Sequence, residues 1–413
     1  MRNRPARAAA RLLAILAVSA LSATALIAQT AEPAAPPAGT TPPFVIQTDN
    51  GDNRLQLGTV VHFDGRFGID DPNQDVTDAF QLRRLRAIVQ GRVARYFDFY
   101  LNVDFAGGAV NVKDAYVDTR FSNAFRVRAG KSKVPISYDR LILVSNILFV
   151  ERGYTTQVAP DRDTGLQVLG DIGPRLSYAV SLTDGVVDGQ SSDTDSNDNK
   201  DVAGRLLVRP FAGDAMHPLA GLGFALAANT GIQSGALPTF LTSGRSAFFS
   251  YAGAVGDGRR TRWSPQAFYY HGPFGAYGEY IRSRGGVRKN GVRDEVDHDA
   301  WQVVASWVLT GEAAGERNVR PKVNFDPPSH HFGALQLTAR VHALSVSENA
   351  FTLGFASPTA SRSADAWTAG LNWYLNPFIK WNFNFERTVF DGPPQWTQRH
   401  AENAVLLRAH LGF

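Results

Sequence analysis

The sequence predicts an all-β fold: a transmembrane antiparallel β-barrel of about sixteen strands with a long inward-folded constriction loop. Three observations predict it. The chain opens with a secretory-type leader, its length is filled with roughly ten-residue segments that alternate in polarity, and the connections between them alternate short and long. Beyond the leader, no stretch approaches the ~18 consecutive apolar residues of a membrane helix. In hydrocarbon every backbone N–H and C=O needs a partner, so strands crossing it must close on themselves.

The leader has a basic start, Arg2, Arg4, Arg7 and Arg11, then an apolar run from Leu12 to Leu21, then Ala-Thr-Ala at Ala23 to Ala25 with further candidate cut points up to Ala31. That run is too short for a span and fits a signal sequence. The expected organisation is a cleaved signal peptide at 1–28, a flexible Pro/Ala-rich periplasmic linker at 29–50, and an outer-membrane barrel at 51–413. Four of the 42 basic residues precede Glu32, the first acidic one, so cutting there leaves 38 basic against 38 acidic. The excess positive charge therefore gives no reason to expect nucleic acid, and any preference for anions must come from local placement. Cysteine is absent, which removes disulfides and thiolate metal sites.

Strands are expected at 54–67, 80–93, 98–106, 112–121, 125–133, 164–171, 175–183, 201–209, 221–230, 262–271, 274–284, 299–310, 333–344, 364–375, 378–389 and 403–413. Phe99, Leu101, Val103 and Phe105 alternate with Asp98, Tyr100, Asn102 and Asp104, and Ile379, Trp381, Phe383 and Phe385 alternate with Lys380, Asn382, Asn384 and Glu386. Charge at mid-strand on one face and aromatics on the other suit a wet lumen and a lipid surface. Short connections such as 94–97, 122–124 and 376–377 read as periplasmic turns, and 134–163, 184–200, 231–261 and 285–298 as external loops. The turns at 210–220 and 311–332 are longer than that rule expects. About sixteen strands enclose a water-filled passage. The last strand ends on an aromatic, Phe413, as a barrel-assembly signal would.

FQLRRLR at 80–86, VKDAYVD at 112–118, RVRAGKSKVPISYDRL at 126–141, VERG at 150–153, YGEYIRSR at 277–284 and AGLNWYLNPFIKWNFNFERTVFD at 369–391 follow one another in an order that resembles the phosphate-selective porin O and P family. The resemblance implies a sixteen-stranded barrel in the bacterial outer membrane, usually a homotrimer, passing small anions such as phosphate through a passage lined by Arg and Lys. Neither a cofactor nor a metal is implied. Expected partners are outer-membrane lipid and lipopolysaccharide, and the barrel assembly machinery through Phe413.

Strand parity supports part of this from the residues themselves. It points Arg84, Arg86, Arg92, Arg126 and Arg128 inward. Lys131 and Lys133 share the lipid-side parity, so either they sit at the rim or the strand bulges before them. Arg83 also has lipid-side parity and is expected to snorkel to the headgroups. Segment 134–163 has two readings, a loop packed on the wall or a neighbour, and a constriction with Arg140 and Arg152 facing the passage and Glu151 paired with one of them. Segment 229–251, where strictly phosphate-selective members carry alternating Arg, holds Arg245 alone, so preference for phosphate over chloride does not follow.

Other features read as ordinary surface. The Asp-rich 184–201 lacks calcium-loop spacing and reads as a solvated loop. His298, His330 and His331 read as surface histidines. Three rival functions stand beside the anion channel: an unselective porin, a barrel enzyme needing an activated Ser–His pair that no motif supplies, and a secreted β-sandwich.

Overall fold

The computed structural model describes residues 44–70, 75–193, 198–392 and 399–413. The expected signal peptide and most of the linker lie outside the described residues. Within the linker's end, Val45–Gln47 pairs antiparallel with Arg54–Gln56.

Among the described residues, sixteen long strands form one closed antiparallel sheet. In chain order they are β1 (Arg54–Gly68), β2 (Ala79–Val93), β3 (Phe97–Asp104), β4 (Asn111–Arg120), β5 (Arg126–Lys133), β6 (Arg162–Ile172), β7 (Leu176–Thr183) and β8 (Asp201–Val208). Then come β9 (Leu222–Gly235), β10 (Val255–His271), β11 (Phe274–Lys289), β12 (Val292–Val308), β13 (Ala334–Val346), β14 (Ser363–Tyr374), β15 (Ile379–Asp391) and β16 (Glu402–Gly412). Each pairs with its neighbour, and β16 closes on β1 from Ala404↔Gly68 to Gly412↔Val60.

The two faces follow the alternation. Leu101, Val117, Val180, Leu226 and Phe383 point outward and are exposed, while their neighbours Asn102, Asp118, Ser181, Ala227 and Asn382 are buried inside the barrel. Aromatic pairs such as Phe274–Trp307 (5.8 Å) and Phe63–Phe80 (5.8 Å) sit at strand ends on the outer face. This is the placement expected of headgroup-level aromatics.

All sixteen expected strands are present, and the main departures lie in β9 to β12, which run further than expected. The expected loop 285–298 is instead a two-residue turn at Asn290 (φ 50°) and Gly291 (φ 81°) joining β11 to β12. Two successive positive φ values match strand twist, which is why Asn-Gly makes tight hairpins. The expected loop 231–261 shrinks to 236–254 and carries its own small hairpin, Phe240–Leu241 with Ala247–Phe249.

The lumen is filled on one side. Tyr154 and Ile136 from segment 134–161 pack with Phe240, Phe248 and Phe249 and with Ile281, Val296 and Leu344 of the β11–β13 wall. Tyr138 and Phe149 pack with Leu207, Phe268, Tyr277 and Val304. The open space lies toward β1–β7.

Candidate permeation site

Two local distortions decide where the basic residues point. Across β1 and β2, His62 pairs with Arg84 but Phe63 pairs with Leu82, so Arg83 is an extra, bulged residue. The bulge resets parity: Leu82 and Leu85 both face out, and Arg83 and Arg84 both turn away from lipid. The expectation that Arg83 snorkels to the headgroups is therefore corrected. Its Nε lies 3.1 Å from Glu151 Oε1 on segment 134–161.

The second distortion is at Gly130, whose φ of 125° is closed to other residues. An added Cβ there would lie 2.2 Å from the Ala115 carbonyl oxygen. This backbone twist breaks the alternation before Lys131 and Lys133. Lys131 is buried and pairs with Asp193. Lys133 Nζ donates to the Leu141 carbonyl (3.2 Å) and the Ile142 carbonyl (2.9 Å).

Segment 134–161 crosses to the opposite wall. The Tyr138 N–H donates to Glu279 Oε2 on β11 (2.7 Å), the Tyr154 N–H to His342 Nδ1 on β13 (3.2 Å), and the Val150 N–H to Asn384 Oδ1 on β15 (2.8 Å). Arg340 Nη1 donates to the Glu151 carbonyl (2.9 Å). These bonds satisfy backbone groups that would otherwise be buried without partners. Glu151 does not pair with Arg140 or Arg152, as the sequence suggested. Arg152 lies 3.0 Å from Asp139 and Arg140 3.5 Å from Asp161. Burial pushes the Glu151 carboxyl up, but Arg83, Arg84 and Arg245 outweigh it and hold the group below the usual carboxylate range.

Two chambers flank this segment. The outer one, about 330 Å³, is lined by seven arginines (83, 84, 86, 140, 152, 162 and 245) against Glu151, Asp161 and Asp188. The inner one, about 770 Å³, is lined by eight basic residues, among them Arg126, Arg128, Lys133 and Arg205, against Asp114 and Asp171. Arg86, Arg162 and Val144 line both and mark where the chambers meet. Arg92 and Lys131 line neither chamber.

Most of these cations are held by carboxylates. Arg86 lies 2.9 Å from Asp104, Arg92 2.7 Å from Asp98, Arg126 3.1 Å from Asp171, Arg128 2.7 Å from Asp118, and Arg162 3.0 Å from Asp114. Among the described residues, Arg84, Lys133, Arg205, Arg245 and Arg317 line a chamber and have no carboxylate within 4.0 Å. Arg84 Nη1 instead donates to His62 Nδ1 (3.0 Å), and His62 Nε2 lies 2.8 Å from His410 Nδ1.

Arg162, Arg205 and Arg317 escaped the sequence reading. Arg205 shares the inward parity of Ala203 and Leu207, which was enough to find it. Arg162 sits two residues before the expected start of its strand, and Arg317 lies on the long turn 309–333, where no periodicity helps. Two other readings need correcting. His298 is buried, not on the surface, with Nε2 2.6 Å from the Tyr251 hydroxyl. The Asp-rich loop sends Asp188 inward to Arg262 (2.6 Å) and Ser283 (2.9 Å).

Comparisons with known proteins fit this architecture. The family model for phosphate-selective porin O and P matches residues 55–389. A comparison with curated proteins finds no match. Among solved structures, outer-membrane expressed OmpT of Vibrio cholerae is 10% identical with a TM-score of 0.57, covering 89% of this chain and 100% of its own. An anion-selective porin from Comamonas acidovorans is 12% identical with a TM-score of 0.57, covering 87% and 100%. A trimer form of OmpT gives 10% identity and a TM-score of 0.54, covering 87% and 99%.

Proposed function

The chain belongs to the phosphate-selective porin O and P family and forms a porin channel in the bacterial outer membrane, and we propose that this channel passes small anions, phosphate among them, and carries no catalytic activity. The observation that carries the reading is the surplus of positive charge on both chambers, with Arg84 and Arg245 outside and Lys133, Arg205 and Arg317 inside left without carboxylate partners among the described residues. A guanidinium stays charged at any relevant pH and offers a fork of donors that matches phosphate oxygens. Unpaired cations spaced along a wet path replace part of an anion's hydration while letting it leave again.

Export through residues 1–28, a homotrimeric assembly, contact with lipopolysaccharide, and recognition by the barrel assembly machinery through Phe413 belong to the same proposal. The similarity to a protein that has a trimer form supports the assembly. The ion pairing of Arg86, Arg126, Arg128 and Arg162 favours a second reading, an unselective porin, because paired charges contribute little net field. Reversal potentials across a planar bilayer under a KCl gradient decide between them. Anion selectivity supports the first reading, and equal permeabilities refute it.

A further inference from the structure

The lining of the inner chamber has two unlike parts. One carries Lys133, Arg205 and Arg317, cations without carboxylate partners among the described residues. The other is apolar and is built by Leu141, Leu143 and Val144 at the tip of segment 134–161. Leu143 is 56% exposed, yet it lines the passage and not the lipid face. Exposed apolar surface costs hydration free energy, and a contiguous patch of it usually marks a contact site.

The two parts are joined at one residue. The Lys133 ammonium has three N–H donors and gives two of them to the Leu141 and Ile142 carbonyls. This seats a positive charge at the base of the apolar tip with one donor left over. On the strand wall, Tyr100 and Tyr116 stack at 5.5 Å between ring centroids and 22° between planes. The Arg128 guanidinium covers Tyr116 at 3.7 Å and fixes that stack. Both tyrosines line the same chamber.

Inorganic phosphate gains nothing from Leu143 or from a tyrosine stack, since its surface is entirely polar. An anion that carries a hydrocarbon body uses both parts at once. We propose that the inner chamber is a binding site for organic monocarboxylates with an apolar or aromatic body. The carboxylate meets the free N–H of Lys133 and the guanidinium groups of Arg205 and Arg317, and the body lies on Leu141, Leu143 and the Tyr100–Tyr116 stack. The inference rests on the anion-channel reading and names a solute class for it.

The test uses the full chain in planar bilayers, with chloride current as the readout and acetate, butanoate, hexanoate and benzoate as probes. All four present one carboxylate and differ in apolar body. The half-blocking concentration is expected to fall at least tenfold from acetate to hexanoate, and benzoate to act like hexanoate. In Leu143→Ser, a change at an exposed position that leaves the anchors of the segment in place, the acetate-to-hexanoate ratio is expected to shrink severalfold. Arg205→Gln is expected to raise the half-blocking concentration of every probe. Equal half-blocking concentrations for acetate and hexanoate overturn the proposal, as does an unchanged ratio in Leu143→Ser. The wild-type reversal potential in KCl is recorded first. A cation-selective value sinks the anion-channel reading itself, whereas an anion-selective channel that treats acetate and hexanoate alike sinks only the present inference.

Discussion

Glu151→Gln is the sharpest test of how the outer chamber selects ions. Glu151 is one of three carboxylates against seven arginines there, and its partner Arg83 is 3.1 Å away. The substitution removes one negative charge while the Arg340, Tyr154 and Val150 bonds still hold the segment. A chamber of 330 Å³ has an equivalent radius of about 4 Å, which puts a central ion roughly 7 Å from the carboxylate. At that distance a unit charge is worth roughly 0.6 kcal/mol in water. Screening with a Debye length of about 8 Å reduces this to roughly 0.25 kcal/mol. Anion and cation feel it with opposite sign, so their permeability ratio changes by roughly two- to sevenfold toward anions. The assay is the reversal potential across a KCl gradient. The sign with pH also follows. A carboxylate whose folded pKa is depressed stays charged until pH falls below its ordinary value of 4.5. Its stabilising pairing is present above that value and is lost only as pH drops through the lowered one. Wild-type selectivity should therefore not drift between neutral pH and about pH 5 on account of Glu151. A Glu151→Gln channel with unchanged selectivity, or one shifted toward cations, would refute the assignment of this chamber to the ion path.

Other perturbations separate the parts of the site. Arg84→Gln and Arg86→Ala should each shift selectivity toward cations by a similar factor, since each removes one positive charge from the chamber; reversal potentials check both. Gly130→Ala should destabilise the barrel by about 1–3 kcal/mol or more, given its positive φ and the Ala115 carbonyl in the way, read as a lower unfolding temperature in detergent. In His62→Leu, Arg84 loses the side chain it hydrogen-bonds to, and single-channel current noise should rise; a channel as quiet as wild type would show that the histidine does not position Arg84.

The barrel was legible because lipid on one side and water on the other impose a strict period of two on each strand. Where the period fails, sequence reading fails with it. Arg83 looked lipid-facing because parity was carried through FQLRRLR without the extra residue that the His62/Phe63 register shift inserts. Lys131 and Lys133 stayed ambiguous for a related reason, since only the backbone of Gly130 shows which way the strand turns. The hairpin at Asn290–Gly291 was readable in principle. Its Asn-Gly pair is a strong turn signal, but the charged stretch 285–298 reads as a loop because those strands extend past the region where apolar alternation is required. Partners were the least legible part. That Glu151 meets Arg83, 68 residues away, depends on how segment 134–161 folds back across the lumen.

The pairing of most lumen cations with aspartates weakens the net field, so selective passage rests on the few that stay unpaired. A few unpaired cations spaced along the path let an anion leave again, whereas an unbroken row of unpaired guanidinium groups would trap it. Setting Arg86 against Asp104 and Arg162 against Asp114 and Asp161, where the two chambers meet, weakens the field on the stretch they share and leaves the unpaired charge on either side of it. Arg84 and Arg245 then gather anions outside, Lys133, Arg205 and Arg317 receive them inside, and the neutralised junction between them offers no deep well. On this argument Asp104→Asn, which frees Arg86 at the junction, should increase anion preference and at the same time lower single-channel conductance, because the ion now lingers. A rise in both together would mean that the junction is limited by field and not by residence.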